Sequence, residues 1–332
     1  MKGSLKAVIT GTGSYLPDQI VTNDDLAKQV DTNDEWIRTR TGIRERRVLA
    51  EDLATSDMCI EAARKALEDA GIAAADLDLI IVGTVTSDML FPSTACLVQH
   101  RLEALKAAAF DVSAGCTGFL YGLVTAAQFL ETGMYRTALV IGADTLSRVI
   151  DWSDRSTCVL FGDGAGAVVL EAVSNTDYGI LGSYLGADGS GAHLLNLPGG
   201  GSRCPATRDS VEKGLHHLRM EGKEVFKFAV KTMGEAALHV LKECGLSQED
   251  VDFLIPHQAN LRIVDAALKR LELPSDRVYT NLEKYGNMSS ASVPVALDEA
   301  ARLGKFQKGN LLLLIAFGAG LTWGGVALRW AK

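Results

Sequence analysis

No stretch of this chain approaches the roughly 20 consecutive apolar residues that a membrane span needs. The longest, Leu311 to Phe317, has strand length and runs into glycine. Basic residues are not in excess: 33 Lys and Arg stand against 41 Asp and Glu, for a formal net charge of −8. That balance argues against a nucleic-acid partner. The six cysteines (Cys59, Cys96, Cys116, Cys158, Cys204 and Cys244) form no CxxC pair, and no His/Cys grouping has zinc-ligand spacing. Scattered single thiols suit a reducing cytoplasm better than a disulfide framework. No G-x-x-x-x-G-K-[ST] occurs, and no G-x-G-x-x-G follows the first apolar run. The glycines of FGDGAGAVVLE therefore read as a close-packed turn entering an interior strand. The opening MKGSLKAVITGTGSYLP is a short β-type run broken by Gly11 and Gly13, not a signal peptide. A cytoplasmic protein with no membrane span and no metal is expected.

The composition is that of an ordinary globular protein, with 332 residues, 47% hydrophobic and 22% charged. The length suits two domains of about 150 residues or one large duplicated unit. The chain repeats itself. ALEDAGIAAADLDLIIVGT and VLKECGLSQEDVDFLIPHQ align without gaps at an offset of 174 residues. Leu67, Gly71, Asp76, Asp78 and Ile81 fall on Leu241, Gly245, Asp250, Asp252 and Ile255. Each segment reads as an amphipathic helix, a glycine cap, a short loop and a buried strand. AGAVVLE (165–171) and GGVALRW (324–330) each read as a closing strand. Strands alternating with helices predict an α/β fold. Two such units side by side make a duplicated five-layer α-β-α-β-α arrangement with two mostly parallel mixed sheets and sites at strand C-termini. The halves are expected at 1–185 and 186–332. Residues 18–60 and 86–106 read as insertions. A long Gly/Pro/Ser-bearing connector, roughly 186–222, is of the kind that lines a site or an interface.

Within this frame, DVSAGCTGF carries the most chemistry. An apolar run ends in Ser113-Ala114-Gly115, the thiol of Cys116 follows, and a helical pattern opens at Thr117. Sulfur then sits at a helix N-terminus, where unpaired N–H groups and the helix dipole favour a thiolate. The bland reading is a buried structural cysteine. His257, in LIPHQAN, lies at the end of a buried strand facing the candidate thiol. The other five histidines have no such setting. Asn260 just after it suits a helix cap. Asn287, in KYGNMSSAS, reads either as a turn residue or as a neutral donor beside His257. The turn FGAGLTWGG places a backbone N–H, that of Ala319, near the sulfur. Together with the N–H of Cys116 it would make an oxyanion hole. Arg38, Arg40, Arg44, Arg46 and Arg47 cluster in WIRTRTGIRERR as a local anion site, some of them as plain surface charge.

DVSAGCTGF, IPHQAN, YGN and FGAGLTWG, in this order and spacing, resemble the thiolase-like condensing enzymes, and within them the 3-oxoacyl-[acyl-carrier-protein] synthase III family. The resemblance runs end to end, through GTGSYLP, NDEWIRTRTGIRERR and DMLFPSTAC. One departure is Gly318-Ala319-Gly320, where many members carry three glycines; a methyl group there need not block a backbone donor. The resemblance implies Cys116, His257 and Asn287 as catalytic residues. It implies an acyl-CoA thioester and malonyl-acyl carrier protein as substrates, condensed in two steps through an acylated Cys116, and no cofactor. By the same resemblance Trp36 stacks the adenine of CoA, with Arg40 and Arg155 at its phosphates and base. Thr32, Met220, Gly222 and Phe226 line the pantetheine tunnel, and Asn260 bonds the pantetheine arm. Arg262 stands at the tunnel mouth shared by CoA and carrier protein. Lys227, Lys269 and Arg270 join it in docking the acidic carrier protein. Phe91 reaches across a homodimer interface into the partner's acyl pocket.

Three readings compete with initiation of fatty-acid synthesis. A relative with the same Cys–His–Asn set could use longer acyl donors or another acceptor, and the long connector could widen its channel. A cysteine thioester hydrolase would need water at the acyl-enzyme, and papain-type signatures are absent. A non-catalytic acyl-binding scaffold would have no use for all three polar residues.

Overall fold

The computed structural model describes residues 5–332; the first four, with the start of the stretch read as lacking a leader and of the first expected half, lie outside the described residues. The main elements of the first half are β1 (Leu5–Tyr15), α1 (Asp34–Thr41), α2 (Thr55–Ala70), β2 (Leu79–Gly83), α3 (Thr94–Arg101), β3 (Ala108–Val112), α4 (Gly118–Glu131), β4 (Thr137–Thr145) and β5 (Asp163–Ser174). Then come β6 (Gly179–Ala187), α5 (Gly222–Glu243), β7 (Phe253–Pro256), α6 (Leu261–Arg270), α7 (Ser292–Arg302), β8 (Leu311–Gly318) and β9 (Thr322–Arg329). One sheet has the order β1-β5-β4-β2-β3 and the other β6-β9-β8-β7.

The 174-residue offset runs through the whole architecture. It carries the first residues of β1, β2 and β4 onto those of β6, β7 and β8, and that of α4 onto that of α7. It also carries the one-turn helix Gly115–Thr117 onto Ser289–Ala291. β5 and β9 occupy equivalent sheet positions at a shorter offset, because the first half carries a longer loop ahead of its closing strand. The strand that opens the second sheet begins at Gly179, so a division at 185/186 runs through it.

Burial sorts these elements into five layers. The central layer is α4 and α7. Phe119, Leu120 and Leu123 of one and Val293, Ala296 and Leu297 of the other share a core with Ile81 and Val140 of the first sheet and Leu312 and Leu314 of the second. α2 covers the outer face of the first sheet through Met58, Ile60 and Ala63. α5 and α6 cover the second through Met233, Val240, Ile263 and Leu268. The sheets are mixed but not mostly parallel. Three strand pairings are parallel, β2 with β3, β2 with β4, and β7 with β8. Four are antiparallel. A parallel pair needs a crossover of about a dozen residues, and only 319–321 separate β8 from β9, which therefore form a hairpin.

The duplication also breaks in the number of strands. The second sheet has no strand equivalent to β3; the offset carries β3 onto the helical turn Leu282–Tyr285. That turn leads into Asn287.

Candidate active site

β3 ends at Val112, and the chain turns through Gly115 with φ +55 before α4 begins at Gly118. A side chain is excluded at Gly115 on two counts. The φ is left-handed, and a Cβ there would lie 2.6 Å from the Ala319 nitrogen. The Cys116 turn is thus pressed onto the Gly318–Gly320 turn of the other half. Hydroxyls lock the two together: Thr117 Oγ1 donates to Thr322 Oγ1 at 2.7 Å, and Thr322 Oγ1 shares its one proton between the carbonyl of Ala114 across the contact (2.8 Å) and that of Ala319 in its own turn (2.9 Å). The backbone N–H groups of Cys116 and Ala319 both lie on the side of the Cys116 sulfur and favour its charged form.

The expected thiolate is not what the site favours at rest. Burial pushes the Cys116 thiol up to about 12, with buried Asp144 adding to the rise. The Ser289 hydroxyl and the two backbone N–H groups oppose it without winning. A short run of N–H groups at a helix start does not offset removal of sulfur from water.

His257 is delivered by β7. Its N–H donates to the Ile315 carbonyl at 2.7 Å, and its ring packs edge-on against Phe317 at 5.3 Å between centroids. The imidazole is fully buried, and neither ring nitrogen has a hydrogen-bond partner among the described residues. Burial lowers its pKa to about 3, so the ring is neutral near pH 7. The Asn287 backbone is fixed on both sides: its N–H donates to Leu160 O at 2.8 Å, and its carbonyl accepts from Gly162 N–H at 3.0 Å. Its side-chain Oδ1 accepts the Ser289 N–H at 2.9 Å. With the oxygen so engaged, the NH2 group is left to face the cavity.

Cys116, His257 and Asn287 line one cavity of ≈ 90 Å³, together with Met220, Gly222, Phe226 and Asn260 from the expected tunnel. Asn260 also caps α6, its Oδ1 accepting the Arg262 N–H at 2.9 Å. Thr32, Trp36, Arg40, Arg155 and Arg262 lie outside that cavity. Trp36 carries two guanidiniums, Arg40 at 4.5 Å and Arg155 at 5.3 Å from the ring centroid. Arg155 also donates to Asp31 O at 2.6 Å, and Thr32 Oγ1 is buried without a partner. α1 ends against the start of α6, where a Cβ on Gly42 would meet Leu261 at 2.8 Å.

The five-arginine anion site does not form as such. Arg38 pairs with Asp34 (3.4 Å), Arg44 with Glu283 (2.7 Å) and Arg47 with Glu45 (3.6 Å), and Arg46 is completely buried. Lys227, Arg262, Lys269 and Arg270 are all exposed; Lys227 pairs with Glu224 at 2.8 Å and Arg270 with Glu235 at 3.3 Å. Phe91 is 83% exposed beside Leu90 at 82%, an apolar tip that does not enter its own chain's cavity.

The residues missed from sequence are those that support the trio. Gln258 Oε1 accepts from the N–H groups of Asn281 (2.7 Å) and Leu282 (2.9 Å), fastening the turn before Asn287. Ser289 holds φ +49, a conformation non-glycine residues rarely adopt. The offset places it on Gly115, which was the available signal. Asp144, at the offset position of Gly318, accepts the Ser290 N–H at 3.2 Å. In the first half the equivalent N–H, that of Cys116, faces a glycine and stays open to a ligand.

A thiol, a neutral imidazole and a free amide at the strand ends of a duplicated five-layer fold define a thiolase-fold condensing enzyme. The comparisons agree. Residues 110–189 match the model for 3-oxoacyl-[acyl-carrier-protein (ACP)] synthase III, and residues 241–330 match the model for its C-terminal part. The beta-ketoacyl-[acyl-carrier-protein] synthase III of Caldanaerobacter subterraneus subsp. tengcongensis is 62% identical over 328 residues, covering 99% of each chain. The crystal structure of 3-oxoacyl-[acyl-carrier-protein] synthase III from Aquifex aeolicus VF5 superposes with a TM-score of 0.90 at 48% identity, over 98% of this chain and 100% of that one. The priming beta-ketosynthase from the R1128 polyketide biosynthetic pathway does so with a TM-score of 0.92 at 39% identity, over 100% and 98%. The chain belongs to the 3-oxoacyl-[acyl-carrier-protein] synthase III family, and it is an acyltransferase of the condensing type. No helix among the described residues is long and apolar enough to cross a membrane.

Proposed function

We propose that this chain condenses an acyl-CoA primer with malonyl-acyl carrier protein through a thioester on Cys116, the initiating step of fatty-acid synthesis. The observation that carries this reading is a buried imidazole with both nitrogens unpartnered, sharing a cavity with a free amide and a thiol. Buried polar groups are rarely left unsatisfied, so a ligand oxygen is the natural acceptor.

In the first half-reaction the Cys116 sulfur attacks the acyl-CoA carbonyl, the C–S bond to CoA breaks, and the thiol proton ends on the CoA sulfur. The N–H groups of Cys116 and Ala319 hold the developing oxyanion. In the second, malonyl thioester loses CO2, and the electron pair of that bond moves onto the thioester oxygen as an enolate. His257 N–H and Asn287 NH2 stabilise that oxygen. The enolate carbon attacks the acyl-Cys116 carbonyl, the Cys116–acyl bond breaks, and the sulfur takes one proton from solvent through His257. Asn287 cannot carry a proton, so the acid/base work falls to His257. Both oxyanions are met by neutral donors, and the reaction as written uses no metal or prosthetic group.

Trp36, Arg40 and Arg155 would receive the CoA nucleotide, with Thr32 and Asn260 on the pantetheine path. Arg262, Lys227, Lys269 and Arg270 form the basic face for the acidic carrier protein. Phe91 serves a partner subunit's acyl pocket in a cytoplasmic homodimer, and the halves act as one site. His257→Ala and Asn287→Ala test the division of labour. Each should leave Cys116 acylation within about threefold while slowing malonyl decarboxylation about 100-fold or more. Loss of acylation first would refute it.

A further inference from the structure

Among the described residues Arg46 is the largest fully buried side chain, and no carboxylate accepts from it. It lies on the short strand Glu45–Val48, paired with Gln19–Thr22 in the insertion of the first half. Its guanidinium is spread over three neutral acceptors. Nη1 donates to Val21 O at 3.0 Å, and Nη2 donates to Asn23 Oδ1 and to Val159 O, each at 2.9 Å. Nε has no partner. Burying a charge without an opposite charge is costly, and an apolar side chain of similar volume is often no worse for stability. The guanidinium therefore calls for another explanation than stability.

The explanation lies in what the third acceptor leads to. Val159 opens the segment whose next residue, Leu160, accepts the Asn287 N–H at 2.8 Å. Two residues further on, Gly162 N–H donates to the Asn287 carbonyl at 3.0 Å. The Arg46 stem is wedged under the same turn. A Cβ on Gly162 would come within 3.1 Å of Arg46 Cβ, and one on Gly286 within 3.4 Å. The neighbouring Arg44 holds the start of the turn, its N–H donating to Glu283 O at 2.9 Å. We propose that Arg46 is a positioning residue for Asn287: by clamping the Val159 carbonyl it fixes the segment on which the Asn287 amide is aimed, and so serves decarboxylation and not acyl loading. Arginine suits this task because its planar fork reaches acceptors on two segments at once, which a lysine ammonium does not. The inference rests on the reading of Asn287 as a donor to the thioester oxygen.

The test uses the full-length enzyme carrying Arg46→Met, Arg46→Lys, Asn287→Ala or Arg46→Met with Asn287→Ala. Acyl loading from acetyl-CoA is read by intact mass, and CO2 release from malonyl-acyl carrier protein is read on the preloaded protein. Arg46→Met should load within about threefold of the parent and lose about 30-fold in kcat for CO2 release, with KM within about threefold. Arg46→Lys, which keeps the charge and loses the fork, should lie between. The double variant should be no slower than Asn287→Ala alone, because the two act on one group. An Arg46→Met that releases CO2 at the parental rate while Asn287→Ala is slow overturns the positioning role alone. Multiplied losses in the double variant do the same. If Arg46→Met does not fold, Arg46→Lys decides: loading and CO2 release falling by equal factors point to a merely structural residue. An Asn287→Ala that keeps the parental rate overturns the reading of Asn287 itself, and with it this inference.

Discussion

Adding one methyl group at Gly318 should disable the first half-reaction. Gly318 is buried at the end of β8, and a Cβ built on it lies 2.4 Å from the Cys116 nitrogen and 3.1 Å from the Cys116 Cα and Cβ. Ordinary contact begins at 3.4 Å, so the two turns must separate by about 1 Å. The two hydroxyl contacts that bridge the turns, Thr117 to Thr322 and Thr322 to Ala114, resist that separation. Nothing can rotate aside, since two of the three atoms met are backbone. The new methyl also covers the N–H that would face the oxyanion. Loss of one such donor costs about 10²–10³ in rate, or roughly 2.7–4 kcal/mol. Overpacking removes a further ~1–3 kcal/mol of stability. Rapid-quench intact mass spectrometry with acetyl-CoA reads the loading rate, and thermal unfolding reads the packing cost. Ala319→Gly is the control: it contributes only its backbone N–H and should load within about threefold of the parent. A Gly318→Ala enzyme that loads at the parental rate would refute the reasoning.

Three further outcomes follow from the buried titratable groups. With its pKa near 12, the Cys116 thiol should alkylate about tenfold faster for each pH unit from 7 to 10, without a plateau. Peptide mapping after iodoacetamide checks this, and a plateau below pH 9 contradicts it. His257 is neutral in the folded protein down to pH about 3, whereas in the unfolded chain it protonates below about 6.5. Only the unfolded state gains a proton in that window, so stability falls as pH falls. The loss is about 2 kcal/mol at pH 5. In denaturant titrations His257→Gln should reduce the drop between pH 8 and pH 5 by that amount, and an unchanged drop counts against a buried neutral ring. For the same reason CO2 release should show no inflection near pH 6.5, provided the carrier protein is kept saturating.

The repeat was legible because both halves still share helix, glycine cap and strand at a constant spacing. Five identities sufficed to place Cys116 opposite Ser290, and the fold keeps that correspondence. Antiparallel pairing was not inferred, although the three-residue link between β8 and β9 implies it. Cys116, His257 and Asn287 stood out as candidates because each follows a strand or glycine turn. What could not be read was burial. Arg46 sits among four other arginines in sequence and separates from them only when its strand packs beneath the Asn287 turn. The thiol shift belongs to the same class of effect. Helix position is visible in sequence, but the low-dielectric surroundings that outweigh it are assembled from both halves. Gln258 was hidden for a different reason, since its bonds reach backbone atoms of Asn281 and Leu282 brought close only by folding.

The central claim is that Cys116 carries the acyl group. Intact-protein mass spectrometry after brief exposure to separate acyl-CoAs, from acetyl to long chain, tests it most directly, with Cys116→Ala alongside. The account predicts one acyl adduct per chain from acetyl-CoA or another short donor, absent in Cys116→Ala. An adduct that survives in Cys116→Ala, or one formed only from long donors, would contradict it: the first by naming another nucleophile, the second by removing the enzyme from initiation.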